Sequence, residues 1–228
     1  MEKTICISLG GSTIIRDASL NYGFMREFVN LLAKNTSTRF VVVVGGGKTA
    51  KGYIGWAREL VSNKFYLDEL GILISKANAL IMAALAMQKC DAYPKVVESY
   101  DELKTALQLN RIVFMAGMTP GITTDAVATL ACEAVDCKLL VNISKTAYVY
   151  DGNPNAKDSK KMRNLSHEEL IELAVKFDGR EPKSDFVFDI IASKIAKRSG
   201  IRINFCDDRI SNIKNAMYGK AHEGSRVF

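Results

Sequence analysis

The chain has 228 residues, of which 48% are hydrophobic and 25% are charged. This is the balance of an ordinary globular protein with one core or with two lobes that share a sheet. The formal net charge of +6 favours anionic ligands. The densest basic run, residues 157–163, has no aromatic side chains on which bases could stack, so the charge does not indicate nucleic-acid binding.

The cysteines and histidines do not follow the spacing of common zinc motifs. Cys132 and Cys137 are five residues apart, and the two histidines of the chain are His167 and His222. We therefore expect no metal site and interpret the cysteines as buried thiols. The sequence shows no signal segment and no apolar run of membrane length, which predicts a cytoplasmic protein without membrane contact.

Strands alternate with helices in the first part of the sequence. Residues 4–9 are an apolar strand pattern, and 24–33 carry apolar residues at helical spacing. The β-branched run 40–44 is typical of a parallel strand that helices cover on both faces. A helix is predicted over 49–61, and a long Ala- and Leu-rich helix over 67–88.

The alternation continues through the middle of the chain. Short strands are predicted over 95–97 and 112–115, a helix over 125–135 and a further strand over 139–143. The polar stretch 150–163, which contains an Asp-Gly-Asn-Pro turn, is interpreted as a loop.

The last predicted helices carry recognisable start and stop signals. Ser166 followed by Glu169 is a capping-box pattern, and the helix predicted over 189–198 is followed by Gly200 and by a strand over 201–205. Strands that alternate with helices predict an α/β fold, in which a mainly parallel central sheet is sandwiched between helices.

Three of the predicted strands end in small-residue turns, which are Gly10-Gly11-Ser12, Gly45-Gly46-Gly47 and the segment from Gly117 to Gly121. Ligands of open α/β sheets bind outside the carboxyl ends of the strands. Glycine lets backbone amides approach a phosphate closely, and each following helix directs its positive end to the same place. Tight turns need glycine in any case, but three such turns favour an anion site.

Two common nucleotide motifs are absent from these turns. Gly47-Lys48-Thr49 resembles the end of a P-loop, but position 42, where that motif needs a glycine, is Val42. A Gly-x-Gly-x-x-Gly pattern is absent as well. Neither a Walker-type NTPase nor a dinucleotide-binding fold is indicated.

Four segments carry a resemblance to a known family: Ile7-Ser8-Leu9-Gly10-Gly11-Ser12, Val42-Val43-Val44-Gly45-Gly46-Gly47-Lys48, Asp68-Glu69-Leu70-Gly71-Ile72 and Thr119-Pro120-Gly121-Ile122-Thr123-Thr124-Asp125-Ala126. In this order they resemble the amino acid kinase superfamily and, within it, the archaeal-type UMP kinases. The resemblance implies one domain over 1–228, with an acceptor lobe over about 1–137 and an ATP lobe over about 138–228. It also implies a homohexamer that transfers the γ-phosphoryl group of ATP, as its Mg²⁺ complex, to UMP.

The resemblance further implies roles for individual residues. UMP would contact Gly46, Asp68, Met118, Thr119, Pro120, Gly121, Ile122, Thr123 and Thr124. ATP would contact Gly10, Gly11, Ser12, Gly47, Lys51, Ser144, Lys145, Tyr150 and Asn153. The catalytic candidates are Lys194, Asp125 and Lys51. Positioning and charge neutralisation supply most of the catalysis of phosphoryl transfer, which suits lysines in this role.

Residue type alone leaves alternatives open. Asp68 could cap the long helix, and Thr124-Asp125 could be only a helix cap. The chain also departs from the family pattern, because Thr146-Ala147-Tyr148 replaces an expected Val-Asp-Gly and Lys51 replaces an expected arginine. The alternative hypotheses are therefore a kinase for another small phosphate or carboxylate, and a non-catalytic nucleotide-binding member of the same fold.

Overall fold

A computed structural model describes residues 3–16, 19–152, 158–177 and 188–228 of the chain. Its strands are β1 (Lys3–Leu9), β2 (Ile15–Arg16), β3 (Ser19–Leu20), β4 (Thr38–Val44), β5 (Ala92–Val97), β6 (Ile112–Met115), β7 (Leu139–Ile143), β8 (Val149–Tyr150), β9 (Lys161–Met162), β10 (Asn164–Leu165), β11 (Arg202–Cys206) and β12 (Arg226–Val227). Its helices are α1 (Gly11–Ile14), α2 (Tyr22–Lys34), α3 (Gly47–Ala57), α4 (Lys64–Met87), α5 (Tyr100–Leu109), α6 (Thr124–Ala134), α7 (His167–Phe177), α8 (Ile190–Ser199) and α9 (Ile210–Met217).

One sheet of eight strands, in the order β10-β12-β11-β7-β1-β4-β6-β5, runs through the molecule. Its pairs are parallel except for the antiparallel pair of β11 with β12. β1 is hydrogen-bonded to β4 on one side and to β7 on the other, so the sheet is continuous between the earlier and later parts of the chain. The prediction of a mainly parallel central sheet between helices is confirmed.

Helices cover both faces of this sheet. α2, α4 and α9 pack on one face, whereas α5, α6, α7 and α8 pack on the other. The central strands are therefore buried on both sides, which explains the unbroken apolar run of β4. Alternate residues of β1 point to opposite faces, so that Ile5 and Ile7 pack beside α2 and α4 while Cys6 joins the core under α6.

The structure adds elements that the sequence analysis did not predict. α5 and α9 had no predicted counterpart, and the predicted loop 150–163 contains strand residues, since β8 and β9 form a small antiparallel hairpin. The predicted stop of α8 is confirmed, because Gly200 has a φ of 58° and its amide donates to carbonyls of the last turn. The capping box before α7 is confirmed as well, since Ser166 and Glu169 exchange hydrogen bonds.

The 24-residue helix α4 is long and apolar enough to span a bilayer by length and composition. This contradicts the expectation that no apolar stretch reaches membrane length. One side of the helix packs in the core, where Ala79, Met82 and Ala83 are fully buried against the sheet. Core helices of globular domains have the same composition, so the length of α4 by itself does not indicate a membrane span.

Candidate active site

The carboxyl ends of four adjacent parallel strands lie along one edge of the sheet. β1 ends at Leu9, β4 at Val44, β6 at Met115 and β7 at Ile143. Each of these strands continues into a segment that the sequence analysis assigned to nucleotide binding. The fold therefore brings the three glycine turns and the segment that starts at Ser144 to the same edge.

The turns after β1 and β4 touch each other through their backbones. A Cβ atom at Gly11 would lie 2.3 Å from the carbonyl oxygen of Gly45 and 2.4 Å from the amide nitrogen of Gly47. Gly47 also has a φ of 64°, a conformation that glycine adopts without strain. The contact leaves no room for side chains, so the two turns form one backbone surface.

Two helices begin at this backbone surface. α3 begins at Gly47, and its N-cap residue Gly46 offers no side-chain acceptor to the first amides of the helix. α6 begins at Thr124, whose hydroxyl oxygen would lie 3.5 Å from a Cβ atom at Gly45. Free amides and the helix dipole make such N-termini attractive to anions. This edge of the sheet is suited to bind phosphate groups.

A polar cluster fixes the start of α6 against two strands. The Ser8 hydroxyl donates to Oδ1 of Asp125 at 2.6 Å, and the Asn142 amide donates to the same oxygen at 2.8 Å. Ser8 and Asn142 are paired neighbours on β1 and β7. Burial raises the pKa of Asp125 to about 7, and the charge of Asp189 acts in the same direction, whereas the two hydrogen bonds oppose it.

Asp68 holds the loop that follows β6. Its Oδ2 accepts a hydrogen bond of 2.8 Å from the amide of Gly121, which has a φ of 80°. The alternative that Asp68 caps the long helix is wrong, because the N-cap of α4 is Asn63, whose side chain accepts from the amide of Phe65. Asp68 instead lies in the second turn of α4, exposed beside the predicted acceptor loop.

Two buried polar residues of α4, which the sequence analysis did not select, support the glycine turns. The Ser75 hydroxyl accepts from the amide of Gly117 at 2.9 Å, and the Asn78 amide donates to the carbonyl of Gly45 at 2.9 Å. Ser75 is 2% and Asn78 4% exposed. Nothing in the residue type of Asn78 indicated that it holds the turn after β4.

Thr123 and Asp189 join the starts of α6 and α8. The Thr123 hydroxyl donates to Oδ2 of Asp189 and accepts from the amide of Ala126, so Thr123 is the N-cap of α6. Oδ1 of Asp189 in turn accepts from the first amides of α8. The alternative that Thr124-Asp125 is only a helix cap is therefore wrong. The single hydroxyl proton of Thr123 is donated to Asp189, so of the two threonines only Thr124 has a hydroxyl proton that can be donated to a ligand.

The segment predicted to bind ATP forms a compact turn after β7. Ser144 donates its hydroxyl to the carbonyl of Thr146 at 2.8 Å and accepts from the amide of the same residue. Tyr148, which replaces the expected glycine, is buried, and the Lys161 ammonium lies 4.7 Å from the centre of its ring. Tyr150 pairs with Lys161 in the β8–β9 hairpin, whereas Asn153 lies outside the described residues.

The two lysines among the catalytic candidates lie on different helices. Lys51 is exposed in the first turns of α3, close in sequence to the glycine turn. Lys194 is exposed on α8, five residues after the cap Asp189. Since Asp189 is bonded to Thr123, α8 begins at the same edge of the sheet as α6.

Cys6, Cys132 and Cys137 are the one group of histidine, cysteine and acidic side chains among the described residues whose ligand atoms converge. The sequence spacing did not reveal this group, because Cys6 comes from a distant strand. Sulfur is not a ligand that Mg²⁺ prefers, since Mg²⁺ is commonly held by substrate phosphates and one or two carboxylates. At the strand ends, Asp125 is the half-buried carboxylate that fits such a role.

Comparison with known proteins gives consistent results. Residues 3–205 match the model of the amino acid kinase family. The chain is 37% identical to the uridylate kinase of Thermoplasma volcanium over 96% of its own length and 95% of that protein, and 38% identical to the uridylate kinase of Methanoculleus marisnigri over 91% and 87%. The crystal structure of uridylate kinase from Archaeoglobus fulgidus superposes with a TM-score of 0.83 at 30% identity, covering 98% of this chain and 99% of that one.

Proposed function

The chain belongs to the amino acid kinase family, and we propose that it transfers the γ-phosphoryl group of ATP to UMP, which gives UDP. The observation that carries this proposal is the backbone contact between the glycine turns after β1 and β4. Two anion-binding turns in contact can hold the phosphates of two nucleotides side by side. Such an arrangement brings donor and acceptor into reach of each other, which is the main requirement of phosphoryl transfer.

We propose that UMP binds over the earlier part of the chain, residues 1–137, and ATP over 138–228 together with the turn after β1. In support, the acceptor loop after β6 is fastened to α4 through Asp68, whose carboxylate can also accept from ribose hydroxyls. Thr124 and the amides after Gly46 would bind the phosphate of UMP. The turn Gly10-Gly11-Ser12 and the segment that starts at Ser144 would bind the phosphates of ATP.

The proposed catalytic roles follow from charge. Lys194 and Lys51 would neutralise the negative charge of the transferring group, since cations aimed at developing charge lower the barrier of this reaction. Mg²⁺, when bound with ATP, would neutralise negative charge on the phosphates, and Asp125 would be the carboxylate that helps to hold it. Asp125 would hold the start of α6 in place and offer its second oxygen towards the cation, since both described hydrogen bonds end on Oδ1.

We further propose that the protein is a homohexamer of the cytoplasm. α3, α4 and the segment between them present large exposed apolar side chains: Tyr53, Trp56, Leu60, Phe65, Tyr66, Leu73, Leu80 and Ile81. An apolar surface of this extent favours association with a second copy. All five cysteines are free thiols, which fits a reducing compartment.

The oligomer proposal is tested by one charge on this surface. Leu73→Glu, at a side chain that is 57% exposed, is expected to lower the mass measured by light scattering. The matched control is Leu109→Glu on α5, 67% exposed and outside this surface, which should leave the mass unchanged. An unchanged mass for both variants would place the interface elsewhere.

The activity is tested by coupling ADP release to NADH oxidation, with MgATP and UMP, CMP, dUMP, GMP or isopentenyl phosphate as acceptor. ADP release that is selective for UMP is the expected result. Selective turnover of another acceptor would replace UMP in the proposal. No ADP release with any acceptor, from a protein that still binds UMP in calorimetry, would refute the kinase activity.

A further inference from the structure

Three cysteine thiols from separate elements meet in the core between the sheet and α6. Cys6 lies on β1, Cys132 on α6 and Cys137 in the turn before β7, and their sulfur atoms all lie within 4.8 Å of one another. Their exposed fractions are 0%, 0% and 3%. The described residues thus contain a three-sulfur pocket that is closed to solvent.

The surroundings of this pocket are apolar. The three cysteines belong to the same buried cluster as Val41 and Leu140 of the neighbouring strands. Cys137 lies 3.1 Å from the carbonyl oxygen of Thr4 and 3.2 Å from that of Leu139, but its single proton can serve one of them at a time. Weak hydrogen bonding and a dry environment leave the sulfur atoms available to a soft ligand.

The three sulfurs lie next to the polar cluster of Ser8, Asp125 and Asn142, along the same contact between β1 and α6. Cys6 and Ser8 are two residues apart on one face of β1, about 7 Å along the strand. Asp125 and Cys132 are seven residues apart, two turns along the same side of α6. The pairs Ser8–Asp125 and Cys6–Cys132 therefore follow one another along a single strand–helix contact, which links the sulfur cluster to the proposed catalytic centre.

We propose that Cys6, Cys132 and Cys137 bind one soft metal ion of the Cu(I) class through three thiolate sulfurs. Sulfurs placed about 2.3 Å from a common metal ion in a trigonal plane lie about 4.0 Å apart, which is compatible with their separation here. Each sulfur that becomes a ligand releases its proton to solvent. The three ligands come from β1, α6 and the turn before β7, so the bound ion would tie these elements together.

The number of ligands favours Cu(I) over zinc. Thiolates select both ions, but structural zinc sites are almost always four-coordinate. Within the described ranges, the three sulfurs have no histidine, acidic or further cysteine ligand beside them. Three thiolates without a fourth ligand suit an ion that accepts trigonal coordination.

The first test is an anaerobic titration of the reduced, full-length protein with Cu(I) against a chromophoric Cu(I) chelator. One tightly held equivalent is expected, with a rise in Tm of about 5–10 °C at free Cu(I) a hundredfold above Kd. If the thiols only fill space in the core, the chelator will keep all the copper and Tm will not change.

Variants locate the bound ion. Cys132→Ala and Cys137→Ser are each expected to lose the bound equivalent of Cu(I), and their folding is checked by near-ultraviolet circular dichroism. The matched controls are Cys206→Ala, which removes a buried thiol outside the cluster, and Cys90→Ser, which removes the half-buried thiol. Both controls should retain it. Retention by the cluster variants, or loss in a control, would overturn the assignment.

A measurement on the unmodified protein remains decisive if a cluster variant does not fold. X-ray absorption at the copper edge counts the ligands of the bound ion directly. Three sulfur ligands are the expected result. One or two sulfur ligands, or nitrogen and oxygen ligands, would overturn the proposed three-thiolate site.

Discussion

Asp125→Asn separates the shape of the Asp125 side chain from its charge. The amide oxygen of the new residue can accept the same hydrogen bonds from Ser8 and Asn142 that end on Oδ1 of the carboxylate. The substitution therefore preserves the contact between α6 and the two strands and removes the ionisation of a partly buried group. Because the charge is proposed to act in the reaction, kcat/KM should fall by about a hundredfold.

The same substitution should stabilise the fold at alkaline pH. Burial raises the pKa of Asp125 from 3.8 to about 7. A shift of about three units would correspond to about 4 kcal/mol for a fully desolvated carboxylate, at 1.36 kcal/mol per unit. The residue is only partly buried by its accessible surface, so solvent screening reduces the expected effect to about 1–2 kcal/mol.

The sign of the pH dependence follows from proton linkage. The folded protein binds this proton more tightly than the unfolded chain, so the contribution to stability is fully present below the unfolded pKa and is lost as pH rises through about 7. Asp125→Asn should therefore be more stable than the unsubstituted protein at pH 8.5, and this advantage should shrink as pH falls towards 5.5.

Urea unfolding of both proteins at a series of pH values measures this difference, provided that the m-values agree. Asp101→Asn, at a carboxylate whose side chain is 97% exposed, is the matched control, and its stability should run parallel to that of the unsubstituted protein. A constant difference in stability between Asp125→Asn and the unsubstituted protein at every pH would refute the raised pKa of Asp125 in the folded protein.

Three further predictions concern the turns and the substrates. Gly11→Ala places a Cβ atom 2.3 Å from a backbone carbonyl and should destabilise the protein by about 3 kcal/mol. Gly55→Ala in α3, where a Cβ atom meets nothing within 4 Å, should instead stabilise it by about 0.5–1 kcal/mol. Equal thermal midpoints for the two variants would contradict the close contact of the turns. Asp68→Ala should raise the KM for UMP about tenfold in steady-state assays while lowering stability by less than about 1 kcal/mol. The KM for dUMP should change less, and equal changes for the two nucleotides would argue against a contact with the 2′-hydroxyl. Lys194→Met should lower kcat about a hundredfold at unchanged Tm. The control Lys197→Met, which removes the ion pair with Glu168 of α7, should leave kcat unchanged. Full activity of Lys194→Met would remove that lysine from the mechanism.

The local features of the candidate site could be predicted from the sequence. The turn after β4 was predicted from Gly45-Gly46-Gly47, because an apolar β-branched run that ends in glycines has few other structures. The role of Ser75 could not be predicted, since a serine within an apolar helix shows no partner until the loop at Gly117 is placed beside it. The position of Tyr148 could not be predicted either: in the sequence it only replaces an expected glycine, whereas in the fold its ring is buried beneath the ammonium group of Lys161.

The sequence by itself determined the longer strands β1, β4, β5, β6, β7 and β11, most of the helices and the glycine turns at strand ends, but not the two-residue strands. Apolar periodicity and the steric demands of a turn are properties of neighbouring residues. Only the tertiary structure decided which side chains meet. Ser8 reaches Asp125 across 117 residues, and Cys6 joins Cys132, because the strand order places β1 between β4 and β7 with α6 across them. Strand order depends on how the whole sheet buries its two faces, and no local pattern in the chain encodes it.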